Sequence, residues 1–302
     1  MKIGIVGAGA MGQLFGGRLQ MAGNEVRFID AAPATIETLN AEGITITAAG
    51  EPRHTPVTAG TAADFNEALE LIIVFTKSFH TEAAVASIKH LIGDATFGLT
   101  LQNGLGNADL LAATFGAEHT LVGITDFPAD LERPGHISTG AGGKVRVGSF
   151  TGQQEPFLQG LVDTLKEAGL TATLEEEIQT HIWEKLAFNA ALNTLSAVTG
   201  QTVGQIAASA AALDIVSRVV DETVLVAASQ GVQVSRERIQ TALDEAYVHA
   251  KDHKTSMLQD REAKRRTEAD YIGGAIVRLG EETGNPAPVL GALTLLASET
   301  IR

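Results

Sequence analysis

The chain has 302 residues, 19% of them charged and 44% hydrophobic, which is long enough for about two domains and too apolar for a disordered chain. Its formal net charge of −14 disfavours nucleic acid or an anionic membrane as a partner, because both reward a basic surface. With no cysteine, disulfides and thiol chemistry are excluded, and no metal site is expected. From Met1 to about Glu175, short β-rich runs alternate with helical stretches, the pattern of a parallel sheet covered by helices. Strands are expected at 2–6, 25–29, 71–75, 95–101, 121–124 and 144–148, with helices at 11–22, 34–41, 80–91 and 107–115. Beyond about Glu176 the strand signal disappears, and helices are expected at 178–199, 211–230, 235–249 and 271–281. Pro286 and Pro288 interrupt the pattern before a last helix at 289–301. Residues 186–213 carry no charged side chain. They include Asn189, Asn193, Gln201, Gln205 and two glycines, so they read as buried helix and not as a membrane span.

The N-terminal stretch MKIGIVGAGAMG loosely resembles a secretory signal, with Lys2 before an apolar run and a small-residue cluster. The glycines break that run, and a second strand-like stretch follows at once, so a cytoplasmic start is the expected reading. The order strand, G-x-G-x-x-G, helix, strand, acidic residue is a dinucleotide-binding fingerprint in its proper context. Gly7 permits the tight turn, Gly9 lets the backbone approach a pyrophosphate, and Gly12 lets the helix pack closely on the sheet. The turn Gly7, Ala8, Gly9, Ala10, Met11 and Gly12 is therefore read as cofactor-binding, with the pyrophosphate at the helix N-terminus. Asp30 closes the second strand, where a carboxylate can accept hydrogen bonds from ribose hydroxyls and repels a 2′-phosphate. NADH is accordingly expected to be favoured over NADPH, unless Asp30 turns outward and Arg27 or Arg53 receives the phosphate.

Two further stretches fall at the carboxyl ends of expected strands, where open α/β sheets bind ligands: Phe75-Thr76-Lys77 and QNGLG at 102–106. Lys77 also fits a solvated loop lysine, whereas Asn103, in a turn with two glycines, is placed to orient a ligand. In the second half, WEKLAFNAALN at 183–193 puts Lys185, Asn189 and Asn193 at i, i+4 and i+8, a polar stripe in an otherwise apolar helix. The stripe suits either an interhelical hydrogen-bond network or a ligand-facing site, and the lysine shifts the balance toward the latter. TSMLQD at 255–260 and TEADY at 267–271 form a second polar cluster. Thr267 with Asp270 reads as a capping box that would place Glu268 in the first helical turn. A hydroxyl, carboxylates and a lysine are what reduction of a 2-oxo acid needs.

With these motifs in this order, the chain resembles the ketopantoate reductase (2-dehydropantoate 2-reductase) family over nearly its whole length. The late motifs at 183–193, 255–260 and 267–271 are far more specific than the glycine fingerprint. The resemblance implies a Rossmann-type doubly wound α/β domain, residues 1–175, followed by an all-helical substrate domain, residues 176–302, with the active site between them. It implies NAD(P)H-dependent reduction of ketopantoate to (R)-pantoate in pantothenate and coenzyme A synthesis. Lys185 would be the general acid and Glu268 the catalytic carboxylate that positions it. Asn189 and Asn193 would contact the substrate's hydroxyl end, Ser256 its carboxylate, and Asp260 the loop that carries Ser256. Asn103 and Lys77 would face cofactor and substrate. Thr194 stands where the family usually has proline, and Gly273-Gly274 where asparagine-glycine is usual; both bear on the pocket's shape. The nearest alternative is an NAD-dependent D-2-hydroxyacid dehydrogenase of the same family acting on branched or aromatic 2-oxo acids. A non-catalytic redox sensor is the reading from another class, and the Lys185, Ser256 and Glu268 set speaks against it. The expected partner is a small-molecule 2-oxo acid, with a homodimer left open.

Overall fold

The computed structural model describes residues 1–140, 142–153 and 156–299. They group into two compact units, one of Met1–Gln102 with Asn107–Ile178, the other of Asn103–Gly106 with Gln179–Arg302.

Among the described residues, the first unit holds twelve strands: β1 (Lys2–Val6), β2 (Glu25–Ile29), β3 (Ile44–Ala48), β4 (Glu51–Thr55), β5 (Thr58–Gly60), β6 (Leu69–Val74), β7 (Ile92–Thr100), β8 (Thr120–Thr125), β9 (Asp130–Arg133), β10 (His136–Thr139), β11 (Lys144–Ser149) and β12 (Thr171–Leu174). Its helices are α1 (Ala10–Met21), α2 (Pro33–Glu42), α3 (Thr81–Ser87), α4 (Asn107–Phe115) and α5 (Pro156–Glu167). Eight strands form one sheet in the order β12-β11-β8-β7-β6-β1-β2-β5. The run from β5 to β8 is parallel, and β11 then pairs antiparallel with β8. The chain builds outward from β1 through β2 to β5, then returns to add β6 on the other side of β1. The sheet order therefore reverses between β1 and β6, and their carboxyl ends are the switch point where such sheets bind ligands. Ile3, Ile5, Leu71, Ile72 and Ile73 are all fully buried, as central strands covered on both faces require.

A second, four-stranded sheet, β4-β3-β10-β9, is absent from the sequence expectations. It packs against α1 so closely that a Cβ on Gly17 would lie 2.9 Å from Ile46 Cδ1. The stretch expected as one helix at 80–91 is α3 flanked by 3₁₀ turns at Ser78–His80 and Lys89–Leu91. The helix α5 was also not expected; it buries Leu158, Leu161, Val162 and Leu165 at helical spacing.

Among the described residues, the elements of the second unit are all helices: α6 (Ile178–Thr199, from Gln179 onward), α7 (Val203–Ala207), α8 (Ala210–Ser229), α9 (Arg236–His249), α10 (Ser256–Glu262), α11 (Ala269–Glu282) and α12 (Pro288–Glu299). The short α7 and α10 were not expected, and positions 300 and 301 of the expected last helix lie outside the described residues. Its core is separate from that of the first unit and centres on Trp183, Leu186, Ala187 and Ala190 of α6 with Ile272 and Ile276 of α11. Thr202, Ser209, Ser235 and Thr255 each cap the helix that follows with a side-chain oxygen. From α8, Glu222 caps α12 instead, accepting the backbone N–H of Val289 and of Leu290 at 2.9 Å each. No helix among the described residues is long and apolar enough to cross a membrane.

Candidate active site

The glycine turn after β1 is built by steric necessity. Gly7 has φ +96°, and a Cβ there would lie 2.8 Å from Thr76 N; a Cβ on Gly12 would lie 2.0 Å from Gly7 O. Only glycine permits both the left-handed turn and the close approach of α1 to β1. Gly9 is different: it is exposed, and a Cβ there would meet nothing within 4 Å, so the space beside its backbone is open. Gly9 is also the N-cap of α1, which has no side-chain cap and no acidic residue in its first turn. Ser or Thr caps four helices of the second unit, whereas the first N–H groups of α1 are left for an anion, where the helix dipole favours one. These features fit a dinucleotide pyrophosphate.

Within the turn, Gly7 N–H donates to Ile29 O at 2.8 Å and Ala8 N–H to Asp30 Oδ2 at 2.7 Å. The other oxygen, Oδ1, accepts Ala32 N–H at 2.9 Å. Asp30 thus ties the end of β2 to the glycine turn through Oδ2 and braces its own following turn through Oδ1. Arg27 pairs with Glu25, nearer the start of β2 and away from its carboxyl end. Arg53 sits on exposed β4, opposite Ile46. Its charge, after burial, helps hold the Arg18 guanidinium below its usual pKa, which places it beside the later turns of α1. Arg18 itself donates to Gly169 O at 2.7 Å and lies over the Phe127 ring, 5.2 Å from the centroid.

Next to the turn, Lys77 precedes the 3₁₀ turn after β6, and its carbonyl accepts His80 N–H at 2.8 Å. A buried amide and hydroxyl network that motif reading did not identify fixes this loop. Gln102 Nε2 donates to Thr76 O at 2.5 Å and to Thr81 Oγ1 at 2.9 Å. Thr81 Oγ1 donates to Asn107 Oδ1 at 2.9 Å, and Asn107 Nδ2 to Ser78 Oγ at 3.0 Å. The loops that follow β6 and β7 are therefore cross-linked. Gln13, fully buried on α1, was likewise missed; a polar residue on the apolar face of the first helix is the signal that points to it.

In the second unit, Lys185 is half-buried, and Asn189 and Asn193 are 8% and 6% exposed, so the stripe on α6 lies in the packed surface. Asn189 Nδ2 donates to Asn103 Oδ1 at 3.4 Å. The segment Asn103–Gly106 is anchored further by Leu105 N–H, which donates to Tyr271 O at 2.9 Å. Gly104, at φ +86°, lies so close that a Cβ there would be 2.5 Å from the same oxygen. One loop thus joins α6 to the first turn of α11, where Glu268 stands. From the other direction, α10 is tied to the end of α6 by Arg261 Nη1, which donates to Val198 O at 3.0 Å. Ser256 is exposed at the start of α10, while Asp260 is 5% exposed and accepts from Arg265 Nε at 2.9 Å. That pairing makes Asp260 a brace for the 256–265 segment.

One expectation is corrected here. The Thr267–Asp270 capping box does not form: α11 begins at Ala269 with Glu268 as its N-cap. Thr267 Oγ1 accepts Ala269 N–H at 3.5 Å, and Asp270 faces Ser298 and Arg266. Gly273 bears on helix packing, because a Cβ there would lie 2.2 Å from Thr294 Oγ1 of α12. Thr194 of α6 is fully buried. Among the described residues, no group of three His, Cys, Asp or Glu side chains could hold a metal ion.

A switch-point sheet with an open glycine turn and a helical unit carrying a lysine-asparagine stripe is the arrangement expected of a nicotinamide-dependent oxidoreductase. Family models described as ketopantoate reductase PanE/ApbA and ketopantoate reductase PanE/ApbA C terminal match residues 3–152 and 177–300. The 2-dehydropantoate 2-reductase of Streptococcus pyogenes serotype M1 is 32% identical over 300 residues, covering 98% of this chain and 96% of the relative. That of Archaeoglobus fulgidus is 29% identical, covering 94% and 92%. Among solved structures, a ternary complex of D-mandelate dehydrogenase with NADH and anilino(oxo)acetate matches with TM-score 0.95 at 30% identity, covering 100% of this chain and 98% of that one. A PanE/ApbA family ketopantoate reductase from Ralstonia eutropha JMP134 matches with TM-score 0.92 at 26% identity, again covering 100% and 98%. The chain belongs to the ketopantoate reductase family.

Proposed function

We propose that the protein is a 2-dehydropantoate 2-reductase that favours NADH. The observation that carries the reaction is the row Lys185, Asn189 and Asn193, set into an apolar helix and bonded to the Asn103 loop. Relatives bearing that enzyme's name span nearly all of the chain. A bound reduced nicotinamide would supply the hydride to C2 of the oxo acid and leave oxidised. The carbonyl pair would become an alkoxide, and Lys185 Nζ would donate a proton to it. Glu268, at the N-cap of α11, would hold that lysine and the substrate. Asn189 and Asn193 would take the hydroxyl end, and Ser256 the carboxylate. Gly7 to Gly12 would hold the pyrophosphate, with Lys77 and Asn103 beside the rest of the cofactor and substrate.

The preference for NADH is supported by Asp30, whose two backbone hydrogen bonds hold its carboxylate at the glycine turn and oppose the outward rotation that a 2′-phosphate would need. No lysine, arginine or histidine occurs from Phe28 to Pro52 to receive that phosphate. Arg27 pairs with Glu25, and Arg53 lies on exposed β4 with its charge next to Arg18 of α1.

A second reading, an NAD-dependent D-2-hydroxyacid dehydrogenase, is favoured by the close structural match to D-mandelate dehydrogenase. Steady-state NADH oxidation with 2-dehydropantoate, a branched 2-oxo acid and an aromatic 2-oxo acid separates the two. The proposal expects the highest kcat/KM with 2-dehydropantoate. A higher value with the aromatic acid would assign the protein to the second reading, and no turnover with any of them would leave a cofactor-binding protein without this reaction.

A further inference from the structure

Gln13 has no part in the fingerprint, yet it is fully buried and both ends of its carboxamide are bonded. Its Nε2 donates to Ala8 O at 2.6 Å, and its Oε1 accepts Gly135 N–H at 2.9 Å. Its backbone N–H donates to Gly9 O at 2.9 Å. One residue therefore draws two successive carbonyls of the turn, those of Ala8 and Gly9, toward the protein interior. In a trans peptide the N–H lies opposite the C=O, and there is no cis bond in the described residues. Holding Ala8 O inward thus turns Gly9 N–H outward, and holding Gly9 O along the helix does the same for Ala10 N–H. The outward side is the open space beside Gly9.

The far end of the clamp is fixed as well. Gly135 forms the turn between β9 and β10 at φ +83°, and its carbonyl accepts Thr45 N–H of β3 at 2.7 Å. The small sheet therefore serves as the anchor for the turn. Asp30 completes the restraint by accepting Ala8 N–H, so the residue between the first two glycines is held at both its amide and its carbonyl.

We propose that Gln13 is a positioning residue for the cofactor: it orients the Gly9 and Ala10 N–H groups toward the pyrophosphate and anchors them to the β9–β10 turn. This rests on the dinucleotide reading of the glycine turn and deepens it. A carbonyl free to rotate toward the anion would replace a donor with a like-charged dipole, so losing the clamp should weaken dinucleotide binding without touching proton transfer.

The test is calorimetric titration of NADH into wild-type protein, Gln13→Leu and Gln13→Glu, with kcat measured at saturating NADH. Gln13→Leu keeps similar bulk and removes both side-chain hydrogen bonds; its Kd should rise about tenfold or more, with kcat within about twofold of wild type. Gln13→Glu can still accept from Gly135 but, when ionised, cannot donate to Ala8 O. Its Kd should be raised at neutral pH and should fall back toward the wild-type value as the pH is lowered and the carboxyl protonates. The Kd should move while the melting temperature stays near that of wild type; a Kd that changes only together with the melting temperature would mark a merely structural glutamine and overturn the inference. If Gln13→Leu does not fold, Gln13→Glu decides alone. Variants that bind NADH as wild type does, or a Gln13→Glu Kd that stays parallel to wild type at every pH, would overturn the inference while leaving the cofactor reading intact. Wild-type protein that binds neither NADH nor NADPH would overturn both.

Discussion

Replacing Lys185 by alanine is expected to lower kcat by roughly 10²-fold to 10⁴-fold, the range over which a positioned acid contributes to a proton transfer. The alkoxide formed at C2 must be protonated as the hydride arrives, and Lys185 is the cation on the polar stripe of α6. Substrate binding should suffer less, because Asn189, Asn193 and Ser256 remain, so KM should change by a smaller factor than kcat. Cofactor affinity should stay close to that of wild type, since the glycine turn and Asp30 belong to the other unit. A single-turnover measurement separates the chemical step from product release. A variant that keeps most of its single-turnover rate would remove Lys185 from the proton transfer and return the stripe to its alternative reading, an interhelical hydrogen-bond network.

Asp30 should control the choice of cofactor. Two like charges about 4 Å apart at an effective dielectric of ~20 repel by about 4 kcal/mol before screening, and even half of that exceeds a tenfold preference. Asp30→Asn is the sharper variant, because its carbonyl oxygen can still accept Ala8 N–H while the charge is gone. The ratio of kcat/KM with NADPH to that with NADH should rise on the order of tenfold to a hundredfold. Asp30→Ser should shift the ratio the same way but lower efficiency with both cofactors, because its shorter side chain gives up the two carboxylate bonds to Ala8 and Ala32. An unchanged ratio in Asp30→Asn, or a wild-type enzyme that already prefers NADPH strongly, would show that the carboxylate does not face the adenosine ribose.

The central strands were legible because they are apolar on both faces. The runs at β1, β6 and β8 stand out against charged neighbours, and their ends are marked by Gly7, Thr76 and Asp126. The second sheet was not legible, for a physical reason. β4 reads EPRHT and β9 reads DLER, short, polar and exposed, so neither carries an apolar signal. Each forms a local hairpin with β3 or β10, and the sheet closes only because β3 and β10, from distant parts of the chain, pair with each other. The same holds for the site. Motif and period single out Asn103 and Lys185 as candidates, and Glu268 enters through the family resemblance. That Asp30 accepts Ala8 N–H, that Gln13 spans from Ala8 to Gly135, and that Gln102 ties two loops together are long-range or turn-dependent facts that no local pattern encodes. The capping box expected at Thr267 shows the converse error: the spacing was right, but the chain enters α11 one residue later, with Glu268 at the cap.

Hydride is expected to pass directly from a reduced nicotinamide to C2 of 2-dehydropantoate. The most direct test is to run the wild-type reaction with NADH deuterated at the transferable position of C4 and to examine the pantoate product by mass spectrometry and NMR. One deuterium per product molecule is expected, bonded to C2, with pantoate formed in step with NADH oxidation. Pantoate that carries no deuterium at C2, or NADH consumed without pantoate, would contradict it.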